Sequence, residues 1–187
     1  DVQGMSNGIL NIEEPTVADL AAGVVTTTTI DVMPEQSADG ATITEFTYDG
    51  GTPLTLDQTD TGEQEFVFAE GSLFITLEGD VRFEPNRNLD HTVSEDIVKS
   101  IVVTSSDGDV DVETATVVLT ITDGDLPTIE SVPSVTLSET QLSDGSTPSG
   151  SAVSQTETIS FTNQSDDVEK FRIEPTEFNV AGALTSN

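Results

Sequence analysis

An all-β fold, an antiparallel β-sandwich followed by part of a second, is what this chain of 187 residues predicts. Three observations carry that expectation. Val, Ile, Leu, Phe and Thr gather into short runs with two-residue alternation, the pattern of a strand buried on one face. Gly, Asp and Asn punctuate the runs at "YDGG", "DTGE", "AEGS" and "LEGD". Helical periodicity is confined to a single short stretch.

That stretch, "EEPTVADLAAG" (13–23), opens a turn or short helix after Pro15 and stops at Gly23. The strands expected after it are "VVTTTTIDV" (24–32), "ATITEFTY" (41–48), "PLTLDQ" (53–58), "EFVFA" (65–69), "SLFITLE" (72–78), "DVRFEP" (80–85), "DIVKSIVVTS" (96–105) and "VETATVVLTIT" (112–122). This rhythm describes a sandwich, placed at 1–124. A second series begins after Pro127 with "TIESV", "SVTLSE", "SAVSQTETISFT" (151–162) and "VEKFRIEP" (168–175). At roughly 60 residues, 125–187 holds strands for only half a sandwich. The missing half belongs to chain beyond Asn187 or to residues 1–20, whose "MSNGIL" echoes the terminal "LTSN".

Composition narrows the function. Lys+Arg number 5 against 35 Asp+Glu, and a formal charge of -30 repels nucleic-acid phosphates and anionic lipid head groups. Such a chain either stays highly solvated or gathers cations, and hard cations such as calcium (Ca2+) favour clustered carboxylate and carbonyl oxygens. Acidic disordered tails lack the strand alternation seen here, so the chain folds. With no cysteine there is no disulfide, thiolate site or cysteine nucleophile, which suits a secreted bacterial protein. No apolar stretch approaches the roughly 20 residues of a membrane span. The start "DVQGMSNGIL" lacks signal-peptide regions, so the chain reads as a segment of something longer; it is expected to be a monomer.

The acidic motifs repeat. "IVVTSSDGD" (101–109) and "VVLTITDGD" (117–125) align without a gap, each a β-branched run ending in Asp-Gly-Asp. With the intervening strand covering about a dozen residues at about 3.3 Å each, the triplets sit roughly 40 Å apart, at opposite poles of the domain. The first suits a tight hairpin turn. The second stands at a domain joint, where Gly124 lets the carboxylates of Asp123 and Asp125 converge on one cation. Strand order returns the loop "NQSDD" (163–167) to that joint, adding Asp166 and Asp167 as candidate ligands. By the same logic Asp107 and Asp109 would face whatever precedes the domain, with Glu13 and Glu14 as partners.

Catalysis is disfavoured. The single histidine, in "NLDHTVS", has no positioned nucleophile and reads as a surface or strand-edge residue. Glycoside hydrolysis would need aromatic platforms, and the chain has no Trp and one Tyr.

The stretch "FEPNRNLDH", then "IVVTSSDGDVDVETATVVLTITDGDLPTI", "VTLSE", "LSDGSTPSGSA" and "ISFTNQSDDVEKFRIEP", resembles the tandem immunoglobulin-like or cadherin-like modules of large RTX-type surface adhesins of Gram-negative bacteria. The resemblance spans roughly residues 70–180 and rests chiefly on the strand running into "DGD-x-P". It implies a secreted, cell-surface protein in which calcium at domain joints rigidifies an extender that projects ligand-binding domains for adhesion and biofilm formation. Carried over by position, the joint ligands would be Asp123 and Asp125, and the hairpin would give Asp107 and Asp109. The implied partners are neighbouring domains of the same chain, an inserted ligand-binding domain splitting the second module, and a host or surface ligand reached only through the full adhesin. A second expectation from the same resemblance is a calcium-dependent glycan- or peptide-binding module. The calcium β-roll of such adhesins is not in this sequence.

Overall fold

The structure, a computed structural model, describes residues 4–25, 27–34, 40–91, 96–107, 111–125, 128–131, 133–134, 145–146, 156–162 and 165. In chain order the elements are β1 (Gly8–Glu13), α1 (Val17–Ala22), β2 (Thr29–Asp31), β3 (Thr42–Tyr48), β4 (Leu54–Thr55), β5 (Gln64–Val67), β6 (Gly71–Ile75), β7 (Asp80–Pro85), β8 (Ile97–Ser106), β9 (Val112–Thr122), β10 (Thr128–Ser131) and β11 (Ser160–Thr162). Expectation and structure coincide over β7 and β9 and differ by a residue or two at several other strands.

The strands form a five-stranded sheet of order β1-β9-β8-β3-β4, a four-stranded sheet of order β2-β7-β6-β5, and a separate β10-β11 pair. The two larger sheets make an immunoglobulin-like sandwich. The β9-β8-β3 order is the G-F-C order of such folds, and β2-β7-β6 is the B-E-D order. Alternation decides which side chains lie between the sheets. In β9, Ala115, Val117, Leu119 and Ile121 are buried while the residues between them face outward. Leu10, Ile12, Ile43, Phe46, Ile101 and Val103 join them from one sheet, and Leu73, Ile75, Val81 and Phe83 from the other. A Trp packed on an inter-sheet disulfide fills the centre of antibody domains. Here aromatics take that place: Phe46 meets Phe66 edge-on at 4.7 Å, and Tyr48 stacks on Phe68 at 3.9 Å.

Local chemistry sets the element ends. Thr16 caps α1 in a capping box with Asp19, and Gly23 closes it in the left-handed region at φ 66°. That box holds the Asp19 carboxyl below the usual range, the Thr16 hydroxyl being the main cause. After β3, Asp49 and Gly50 both have positive φ, 50° and 69°, and Gly51 N–H bonds the Tyr48 carbonyl at 2.9 Å, a type I′ turn.

Two strands depart from expectation. Within 24–32, strand is confined to Thr29–Asp31 among the described residues, because the solvent-facing Thr run offers little to pack. β1 was not expected. Residues 8–13 do not complete the second series; they pair in parallel with β9, in register from Gly8↔Val117 to Glu13↔Thr122. Leu10 and Ile12 thereby enter the first core. Of the second series, the expected "VEKFRIEP" lies outside the described residues.

Truncating a fully buried ring leaves a cavity that the sheets cannot close, so Phe83→Ala is expected to cost about 3–5 kcal/mol in denaturant unfolding. The single tyrosine gives a second test. Burial, then the nearby Glu70 carboxylate that accepts its hydroxyl at 3.2 Å, pushes the Tyr48 phenol well above its ordinary value. The unfolded chain then releases this proton first. Stability is therefore expected to be full below about pH 10 and to fall as pH rises beyond it, with tyrosinate absorbance appearing late in the folded protein.

Candidate metal centre

The parallel register of β1 and β9 has a direct outcome at their ends. Glu14 follows Glu13, Asp123 follows Thr122, and Glu14 N–H continues the ladder to the Thr122 carbonyl at 3.0 Å. The two acidic residues thus emerge side by side at one pole.

The opposite sheet delivers a third group. β7 ends at Pro85, and the segment after it is tied down where Asn86 N–H donates to the Glu70 carbonyl at 2.8 Å. Asn88 turns the backbone through the left-handed region at φ 63°. Leu89 N–H then donates to Glu14 Oε1 at 3.0 Å, and His91 Nε2 lies 3.1 Å from Glu14 Oε2. The Glu14 side chain has no exposure and that of His91 only 2%. Donor atoms of Glu14, His91 and Asp123 all lie within 4.8 Å of one another. A buried carboxylate costs several kcal/mol unless it is paired; the Leu89 N–H meets part of that demand at Oε1, and Oε2 faces the His91 imidazole.

The joint closes over this centre. Ser165, itself buried, donates its N–H to the Asp125 carbonyl at 3.2 Å and its hydroxyl to the Glu14 carbonyl at 3.3 Å. Arg87 donates through Nη1 to the Ser165 carbonyl at 3.0 Å. Gly124 is what allows the approach. A Cβ there would stand 1.8 Å from Ser165 Oγ and 2.7 Å from the Glu14 carbonyl oxygen.

The expected ligands divide accordingly. Asp123 belongs to the cluster. Asp125 engages the joint through its backbone carbonyl. The loop 163–167 reaches the joint at Ser165, while Asp166 and Asp167 lie outside the described residues, as does Asp109. Asp107 follows β8 beside the β8–β9 hairpin, at the pole opposite Asp123. Glu13 and Glu14 do not face it. Parallel pairing with β9 carries them to the pole of Asp123. The histidine expectation is also corrected: His91 is an interior residue held against Glu14. Nothing in "NLDH" announces that, because the pairing partner is far away in sequence.

Calcium binds six to eight oxygens. The Glu14 and Asp123 carboxylates are oxygens of that kind, but the imidazole nitrogen of His91 is not. The described residues therefore supply part of a calcium shell and a nitrogen that calcium does not use.

No family model matches the sequence, and no curated protein matches it. Among solved structures it is similar to the N-terminal Ig1-2 module of the Drosophila receptor protein tyrosine phosphatase DLAR, at 14% identity and a TM-score of 0.32. The match covers 70% of this chain and 54% of the other, so the chain spans about half the length of that structure. A likeness at this level carries no argument. The immunoglobulin-like assignment stands on strand order.

Gly124→Ala is expected to expel Ser165 from its seat and cost about 1–3 kcal/mol. Hydrogen exchange should then accelerate at the Ser165 amide while the β8–β9 core keeps its protection.

Proposed function

We propose that this chain is a non-catalytic extender segment of a secreted bacterial surface adhesin, in which the joint after β9 is held stiff so that neighbouring domains are presented at a distance. One observation carries the reading. Among the described residues, Ser165 is fastened to the triplet by a hydrogen bond to Asp125 and to the sandwich pole by one to Glu14 and one from Arg87. A joint fixed from both sides cannot swing as a simple tether does.

Charge supplies the control. Glu13, Glu14, Asp123 and Asp125 crowd this pole in a chain of formal charge -30. Their repulsion opposes closure. Calcium, when bound, would neutralise carboxylates here; Asp123 and Glu14 are the side chains that would hold it, and the Asp166 and Asp167 expected from the sequence are further candidates. The protein's own part is to set those groups on two strand ends in fixed register, and to seat the returning loop over Gly124. Stabilisation by any such ion grows by mass action with its concentration.

The test is thermal unfolding with small-angle scattering, in calcium and in chelator, on the wild type and on Asp123→Ala/Asp125→Ala. Calcium is expected to raise both the melting temperature and the maximum dimension of the wild type, and to do neither in the double variant. An unchanged maximum dimension in the wild type would reject the extender mechanism.

A further inference from the structure

We propose that Glu14, His91 and Asp123 form a site for a borderline transition-metal ion of the zinc class, distinct in chemistry from a calcium site. The donor set is the first reason. It joins one imidazole and two carboxylates, and imidazole suits zinc, nickel, cobalt and copper, whereas calcium takes oxygen. A nitrogen ligand in the middle of an acidic pole changes which cation the pole prefers.

Geometry is the second reason. Two ligands each about 2.0–2.1 Å from one zinc ion at the tetrahedral angle stand about 3.3 Å apart. His91 Nε2 and Glu14 Oε2 stand 3.1 Å apart, close to that edge. The third donor lies within 4.8 Å of both, so a modest approach of Asp123 completes a three-ligand face. That leaves a fourth position for water or for the returning loop.

Support around the ligands is the third reason. They come from the end of β1, the segment after β7 and the end of β9, so three parts of the chain converge on one point. The Leu89 N–H on Glu14 Oε1 orients that carboxylate, as outer hydrogen bonds do at metal sites. The His91 and Glu14 side chains are buried in the folded protein, and the Leu89 N–H fixes one Glu14 oxygen. The site stands on this geometry and does not depend on the extender reading.

The sequence makes the test clean. His91 is the sole histidine and there is no cysteine, so nitrogen ligation by a side-chain imidazole can come only from His91. The chelator-treated chain, labelled with 15N, is titrated with zinc while the two His91 ring nitrogens are followed by NMR. Cobalt(II) is titrated in parallel and its visible absorption recorded. One equivalent of zinc is expected to shift Nε2 into the metal-bound range, and cobalt to give the intense bands of a low-coordinate nitrogen and oxygen site. Calcium, which takes oxygen ligands, should leave His91 Nε2 outside the metal-bound range. His91→Gln, which keeps a donor toward Glu14, should weaken cobalt binding by more than about a hundredfold, beyond the loss of an outer partner. Asp123→Asn should weaken it while leaving the His91 ring in its folded environment.

Zinc binding that leaves the His91 nitrogens unmoved would mean carboxylates on the surface are the ligands, and overturns the proposal. So does cobalt binding of equal strength in His91→Gln. The two readings fail separately: a zinc-responsive His91 with a calcium-insensitive maximum dimension keeps the site and rejects the extender. The reverse result keeps the extender and removes the site.

Discussion

The parallel pairing of β1 with β9 is the constraint on which the rest of this structure depends. In an antiparallel sandwich most neighbouring strands end at opposite poles. A parallel pair ends at the same one. Register then does the remaining work: Glu13 opposite Thr122 puts Glu14 beside Asp123 to within a residue. The same six pairings place Leu10 and Ile12 in the core, so the register is fixed by apolar burial and not by the acidic groups it brings together. Slipping by one residue would expose both side chains. Core packing therefore meets the cost of gathering like charge at one pole.

Cations are scarce in this chain, and those described are placed with economy. Arg82 forms a two-pronged pair with Glu63 at 2.6 and 2.8 Å, reaches Glu84, and lies 3.8 Å over the Phe74 ring. That bond holds the Glu63 carboxyl below its usual range. Lys99 bridges Asp49 and Glu70 at 2.8 and 3.1 Å, and these bonds, Asp49 first, keep its amine charged further into alkaline pH. Such pairs on a wet surface add little to stability. Their arrangement matters more than their strength, because Glu70 links Lys99 to Tyr48 through its side chain and to Asn86 through its carbonyl. Asn86 opens the segment that carries Arg87, Leu89 and His91 to the joint. The interior aromatic stack and the polar pole are thus mechanically continuous.

The pole itself is a compromise between burial and charge. The Glu14 side chain is withdrawn from solvent, with the Leu89 N–H on one oxygen and the His91 ring facing the other. Ser165 and Gly124 complete the cover without adding charge. An arrangement of this kind favours specificity of docking, since a loop that failed to present its hydroxyl and N–H would leave the Glu14 and Asp125 carbonyls to find other donors.

Much of this was readable in the sequence by itself. Period-two alternation located β7 and β9 to the residue, because each strand has one dry face and one wet face and no competing helical pattern. The turn at "YDGG" and the caps of α1 followed from residues whose backbone preferences are intrinsic. What only the tertiary structure decided is which groups meet at the pole. In β1 an exposed Ile9 beside buried Leu10 blurs the alternation, its parallel partner lies more than a hundred residues away, and so Glu14 was assigned to the wrong pole. His91 looked like a surface residue because burial depends on what folds over it, and the Glu14 it meets is far away in sequence. Local pattern fixes elements through nearest-neighbour chemistry; a site built from three distant segments exists only once register has brought them together.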